Sequence, residues 1–158
     1  MKITSIYIAR LTIPMEPFVI ATETCYEAQN IYVKIQTDKG IHGVGECSAF
    51  PMLVGETQDT CFYVGQDLAK IILGKNPLEI ENRLKEFDAY IAFNSTIKSA
   101  FDMALYDIAA KEKGLPLYAY LGGNKKIIQT DLTIGINTPE KMADAAKAFI
   151  KNGVKNFR

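Results

Sequence analysis

One histidine, His42, and three cysteines, at 25, 47 and 61, are the side chains best suited to nucleophilic or soft-metal chemistry, and their spacing suits neither. A lone histidine leaves out a His–His metal pair and a Ser–His–Asp triad built from this chain alone. The cysteines are odd in number and widely spaced, with no C-x-x-C pair. They read as buried or half-buried free thiols, not as a disulfide framework. Carboxylates remain. Glu16, Glu23 and Glu27 fall in residues 14–29, PMEPFVIATETCYEAQ, which reads as an irregular excursion opened by two prolines. Long loops in compact domains are often functional. A second loop, AFPMLVGET at 49–57, carries Pro51 and Met52. Asp102 and Asp107 lie on an expected helix, where solvation or local pairing accounts for them without catalysis.

These loops need a scaffold, and the hydrophobic pattern supplies one. Residues 2–13 alternate as a strand, with Ile3, Ser5, Tyr7, Ala9, Leu11 and Ile13 on its buried side, and Pro14 and Pro17 are expected to end it. Residues 30–37 and 41–48 form a hairpin around Asp38-Lys39-Gly40. Gly43 and Gly45 leave one side of the second strand bare, permitting close approach of another backbone. Thr57 starts a helix over 58–73, with Cys61, Val64, Leu68, Ile71 and Ile72 on its apolar face. Pro77 starts another, to about 91, with Leu78, Leu84, Phe87 and Ile91 inward. A third places Ile97, Ala100, Phe101, Ala104, Leu105 and Ile108 on one face. Asn94, Ser95 or Thr96 is expected to cap it, and Gly114 with Pro116 to stop it.

After Gly122-Gly123 the pattern changes. Residues 127–136 read as a strand. Thr138 and Pro139 open a helix to about Lys151 that buries Met142, Ala145, Ala146, Phe149 and Ile150. Residues from Val154 look like the start of a second strand. Strands followed by helices argue an α+β domain, and the last segment argues the opening of a parallel βα repeat. Such a unit is incomplete, so the 158 residues are expected to be the N-terminal part of a longer protein.

Eighteen basic residues balance eighteen acidic ones, which gives no reason to expect nucleic acid or an anionic membrane surface as partner. No apolar run approaches the roughly 20 residues of a membrane span. The N-terminus lacks a signal peptide's continuous apolar core, and a cytoplasmic location is expected.

Three segments together resemble the enolase superfamily, muconate-lactonizing branch: GVGECSAFPMLVGET at 43–57, AFDMALYDIAAKEKGLPLYAYLGG at 100–123 and TDLTIGINTPEKM at 130–142. The second is the most specific. The resemblance implies an α+β capping domain, residues 1–123, a three-stranded antiparallel meander plus helices. Residues 124–158 would then open a truncated (β/α) barrel. It further implies a Mg²⁺ ion held by three acidic residues at barrel-strand ends, and proton abstraction beside a carboxylate through an enediolate. Two lysines would face each other across the substrate, the first in a Lys-x-Lys just past Arg158. Lys155 precedes that position and is not assigned the role. Catalytic residues and metal ligands are therefore expected beyond this chain.

Within the branch, residues 130–140 look most like dipeptide epimerases, which move the α-proton of the C-terminal residue of a dipeptide between its two faces. Thr133 matches a substrate-contacting threonine of that group. The resemblance places an arginine of the Ala-Glu epimerases at Glu23, where a carboxylate would repel an acidic substrate side chain. A small, apolar or basic second residue is expected instead, in a pocket lined by Thr24, Phe18 and Ile20 with Pro51 and Met52. A cycloisomerase or succinylbenzoate synthase of the same superfamily uses the same chemistry, and a non-catalytic fragment is the other alternative. Members are often symmetric assemblies, so the resemblance allows a homo-oligomer.

Overall fold

The computed structural model describes residues 1–158, which divide into two compact units, Met1–Ile13 with Ala28–Asn124, and Pro14–Glu27 with Lys125–Arg158. The elements in chain order are strands β1 (Ile3–Val19), β2 (Thr24–Thr37) and β3 (His42–Ser48), then helices α1 (Pro51–Val54), α2 (Gln58–Ile72), α3 (Ile80–Tyr90), α4 (Ser95–Glu112), α5 (Leu117–Tyr120) and α6 (Pro139–Lys151). The strands form one sheet of order β1-β2-β3. β2 and β3 are antiparallel, with Val33 opposite Gly45 and Ile35 opposite Gly43. No helix is long and apolar enough to cross a membrane.

The core of the first unit lies between this sheet and α4. Ile31, Val33 and Ile35 alternate inward from β2, and Ile97, Ala100, Phe101, Ala104, Leu105 and Ile108 form the facing stripe, all of them fully buried. The bare side of β3 meets the small side chains of α4. A Cβ on Gly43 would collide with the Ala104 carbonyl, and one on Gly45 with that of Ala100. Strand and helix backbones are therefore in direct contact, which only glycine permits. β3 is an edge strand, and α4 also covers its open side. The Val44 amide donates to Asp107 Oδ2 at 2.9 Å, and Lys111 Nζ donates to the same oxygen at 2.7 Å and to the His42 carbonyl at 2.9 Å. Gly114, at φ 67°, ends α4 as expected.

Several expectations change. β1 does not stop at Pro14 but runs through both prolines to Val19. As an edge strand it has backbone positions that need no ladder donor, so proline is tolerated there. The excursion at 14–29 is thus the far half of the β1–β2 hairpin, not an irregular loop. The inward side of β1 also slips by one residue after Ile3. Ile6 and Ile8 pack against the core, while Tyr7, Leu11 and Ile13 are exposed. In α2, Thr57 caps with Thr60 as a reciprocal capping box, and Gly65 joins Cys61, Leu68 and Ile72 on the buried face. α3 starts at Ile80 rather than Pro77, because Asn76 Oδ1 accepts the Leu78 amide at 3.1 Å and holds the chain in a turn. Leu78 is accordingly exposed, Phe87 is buried as expected, and Ile80 and Arg83 are buried as well.

The start of α4 differs most. Asn94 is left-handed, at φ 53°, and its side chain makes no cap. The cap comes from Glu56, whose Oε1 accepts the Thr96 amide at 3.0 Å. At Asp102, where solvation or local pairing was expected, Oδ1 is buried with no hydrogen-bond partner. Burial pushes its carboxyl pKa up. The folded chain then binds the Asp102 proton more tightly than the unfolded chain. That contribution to stability falls as pH rises from about 4 through the raised pKa. Asp102→Asn is therefore expected to raise the melting temperature at pH 7 and to leave it unchanged near pH 3. Thermal melts at the two pH values check this; a lower melting temperature at pH 7 would contradict it.

In the second unit, residues 127–136 make no regular strand. Leu132 forms a single parallel bridge to Phe157, and Ile127 and Ile128 are almost fully exposed. Residues 156–158 pair with this segment: the Leu132 amide donates to the Asn156 carbonyl at 3.1 Å, and the Arg158 amide to the Leu132 carbonyl at 3.0 Å. α6 begins at Pro139 under the Thr138 cap, as expected, but Met142, Ala145, Ala146 and Phe149 are only half-buried and Ile150 is exposed.

Candidate functional site

Four of the expected site residues lie together at the end of the β1–β2 hairpin. The Ile20 amide donates to the Glu23 carbonyl at 3.0 Å, closing a tight turn between Val19 and Thr24. Phe18, Ile20 and Thr24 are half-buried, and the Glu23 carboxylate is exposed. The Cys25 thiol donates to Glu23 Oε1 at 3.5 Å. Partial burial, and then the neighbouring carboxylate, raise the Cys25 pKa, so this thiol is a poor nucleophile.

Thr133 faces the same hairpin. The Ile136 amide donates to the Val19 carbonyl at 2.9 Å, bringing residues 133–137 beside the strand end. A cleft of about 180 Å³ opens there, lined by Thr133, Pro17, Val19, Asn137, Lys141 and the α6 side chains Met142, Ala145 and Phe149. Met142, Ala145 and Phe149 are the apolar residues of its α6 wall, and Thr133, Asn137 and Lys141 are polar residues of the lining. Such a cleft suits an apolar body with a polar end. Pro17 and Val19 were not expected here. Both fall on one side of an extended strand, as alternate residues do. Reading 14–29 as irregular concealed that alternation.

Pro51 and Met52 belong to the first unit. They sit on α1, a single turn closed by the Gly55 amide donating to the Pro51 carbonyl at 2.9 Å, where a loop was expected. Met52, Leu53 and Val54 are all exposed, Leu53 by 79%. Three consecutive apolar residues before a left-handed glycine were the available signal for Leu53 and Val54. All three cysteines are free, with Cys47 and Cys61 buried. The neighbouring Cys47, burial and the Glu56 carboxylate together hold the Cys61 thiol protonated, well above the ordinary range. No group of three or more His, Cys, Asp or Glu side chains gathers to hold a metal ion.

Residues 3–122 match the mandelate racemase / muconate lactonizing enzyme N-terminal domain. The chain belongs to the mandelate racemase / muconate lactonizing enzyme family. The resemblance in the segments 43–57 and 100–123 is thus borne out, across the sheet and all helices up to α5. Among mandelate racemase / muconate lactonizing enzyme relatives, the D-Ala-D/L-Ala epimerase of Cytophaga hutchinsonii is 52% identical over 139 residues, 87% of this chain and 38% of that protein. The L-Ala-D/L-Glu epimerase of Bacillus subtilis is 34% identical over 160 residues, covering 100% of this chain and 44% of that one. The crystal structure of the Cytophaga hutchinsonii dipeptide epimerase, complexed with Mg and the dipeptide D-Ala-L-Val, matches with a TM-score of 0.93 at 48% identity, over 96% of this chain and 42% of that chain. The chain therefore spans 38–44% of the length of these curated relatives.

Proposed function

We propose that the protein containing this chain is a Mg²⁺-dependent dipeptide epimerase, acting at the α-carbon of the C-terminal residue. Residues 1–123 serve as the capping domain, and residues 124–158 open the barrel. The observation that carries this reading is the 52% identity over 139 residues to an Ala-Ala epimerase. The residues of this chain do not fit Mg²⁺, since no three candidate ligands converge. The metal and the proton-transferring groups are therefore assigned to the remainder of the protein, and no step of the reaction is assigned to this chain. Its part is selection. Substrate contact is assigned within the second unit to Thr133 in the cleft and to Phe18, Ile20, Glu23 and Thr24 on the hairpin end, and within the first unit to Pro51 and Met52 on α1. Glu23 disfavours an acidic second residue through like-charge repulsion, leaving small, apolar or basic residues preferred.

The test is turnover by the full-length protein. NMR is expected to show L-Ala-L-Ala converting to the L-Ala-D-Ala diastereomer in the presence of Mg²⁺, with loss of conversion after chelation. A full-length protein that interconverts no dipeptide, and instead cyclises or dehydrates a carboxylate substrate, would overturn the assignment within the family.

A further inference from the structure

Glu56 is the one acidic side chain of the first unit that is almost fully buried, at 6% exposure. It stands at the C-terminal stem of the segment carrying α1, and it joins three elements. Oε1 accepts the Thr96 amide at the first turn of α4, 40 residues away in sequence, and Oε2 accepts the Cys61 thiol of α2 at 3.5 Å. The other stem is Ala49, buried, whose amide donates to the Gln29 carbonyl at 2.8 Å. Between these anchors, residues 51–55 are exposed and bonded only among themselves and to Phe50. α4 needs this carboxylate, because its own N-terminal residues supply no side-chain cap. A buried acceptor at a helix N-terminus is held both by charge and by the unpaired amides there.

We infer that Glu56 is the positioning residue of the second loop. By capping α4 from outside the helix, it fixes the end of the segment that presents Pro51 and Met52. Helix start and loop stem then form one hydrogen-bonded unit, so a change that frees one frees the other. The loop's role toward a dipeptide rests on the reading under Proposed function; the mechanical coupling does not.

Amide hydrogen exchange on the full-length protein tests it. In Glu56→Ala, exchange at Thr96 and at residues 53–55 is expected to accelerate at least tenfold, while Val33 and Ile35 in β2 stay unchanged. Glu56→Gln retains an acceptor for the Thr96 amide and is expected to restore Thr96 to within about threefold of the native rate. Cys61→Ala removes only the thiol contact and is expected to leave Thr96 protected. With a dipeptide substrate, Glu56→Ala is expected to raise KM severalfold with kcat held within twofold, and Glu56→Gln to recover most of that loss. Uniform acceleration across β2 and the loop would overturn the inference, as would an unchanged loop or a Gln variant no better than Ala. If the native protein turns over no dipeptide, the proposed function falls, while the exchange pattern still decides the role of Glu56.

Discussion

Gly45→Ala is expected to cost about 3 kcal/mol or more and to lower the melting temperature by about 10 °C. The added methyl would run into the Ala100 carbonyl, with the Ala100 carbonyl carbon at 2.8 Å and the Ala104 amide nitrogen at 3.1 Å. These are backbone atoms, so no rotamer change relieves the clash, and α4 must move off the sheet. That movement would also separate Val44 from Asp107 and open the completely buried stripe from Ile97 to Ile108. Gly40→Ala is the control. Its Cβ would meet nothing within 4 Å, and its left-handed φ of 74° is the sole penalty. It is expected to cost only about 1 kcal/mol. Thermal unfolding followed by circular dichroism separates the two. Equal losses would show that the contact between β3 and α4 does not limit packing.

Glu23→Arg in the full-length protein is expected to raise kcat/KM for an Ala-Glu substrate, relative to Ala-Ala, by tenfold or more. A tenfold change corresponds to about 1.4 kcal/mol. The substitution replaces like-charge repulsion with an opposite-charge pair and exchanges a short carboxylate for a forked guanidinium that can hold a carboxylate through two bonds. Glu23 is placed for this by the turn in which the Ile20 amide bonds its carbonyl, so the backbone position is retained in the variant. Steady-state kinetics on the two dipeptides check the shift. An unchanged ratio would place residue 23 outside the pocket.

The helices and the sheet core were legible because each rests on a local period. The α4 stripe follows steps of three and four, and Ile31, Val33 and Ile35 follow steps of two. The meeting of Gly43 and Gly45 with α4 was half legible. Bare positions on a strand and alanines one turn apart on a helix each invite a close neighbour, but only the fold pairs them. What escaped depends on distant partners. Pro14 and Pro17 read as breakers because edge position cannot be seen from a strand's own residues. The α4 cap was sought in Asn94, Ser95 and Thr96, whereas Glu56 supplies it across 40 residues of sequence. Residues 127–136 carry a strand's composition, yet a ladder needs a partner, and only a single bridge forms. At the candidate site, Glu23 and Thr133 were named from the family resemblance. Val19 and Pro17 emerged only once the hairpin was seen to be extended.

The most direct measurement is deuterium incorporation by the full-length protein in heavy water with Mg²⁺, followed by NMR for Ala-Ala and Ala-Glu side by side. The expected result is exchange at the α-carbon of the second residue, faster for Ala-Ala than for Ala-Glu. No exchange in either dipeptide would contradict epimerisation, and faster exchange in Ala-Glu would contradict the role assigned to Glu23.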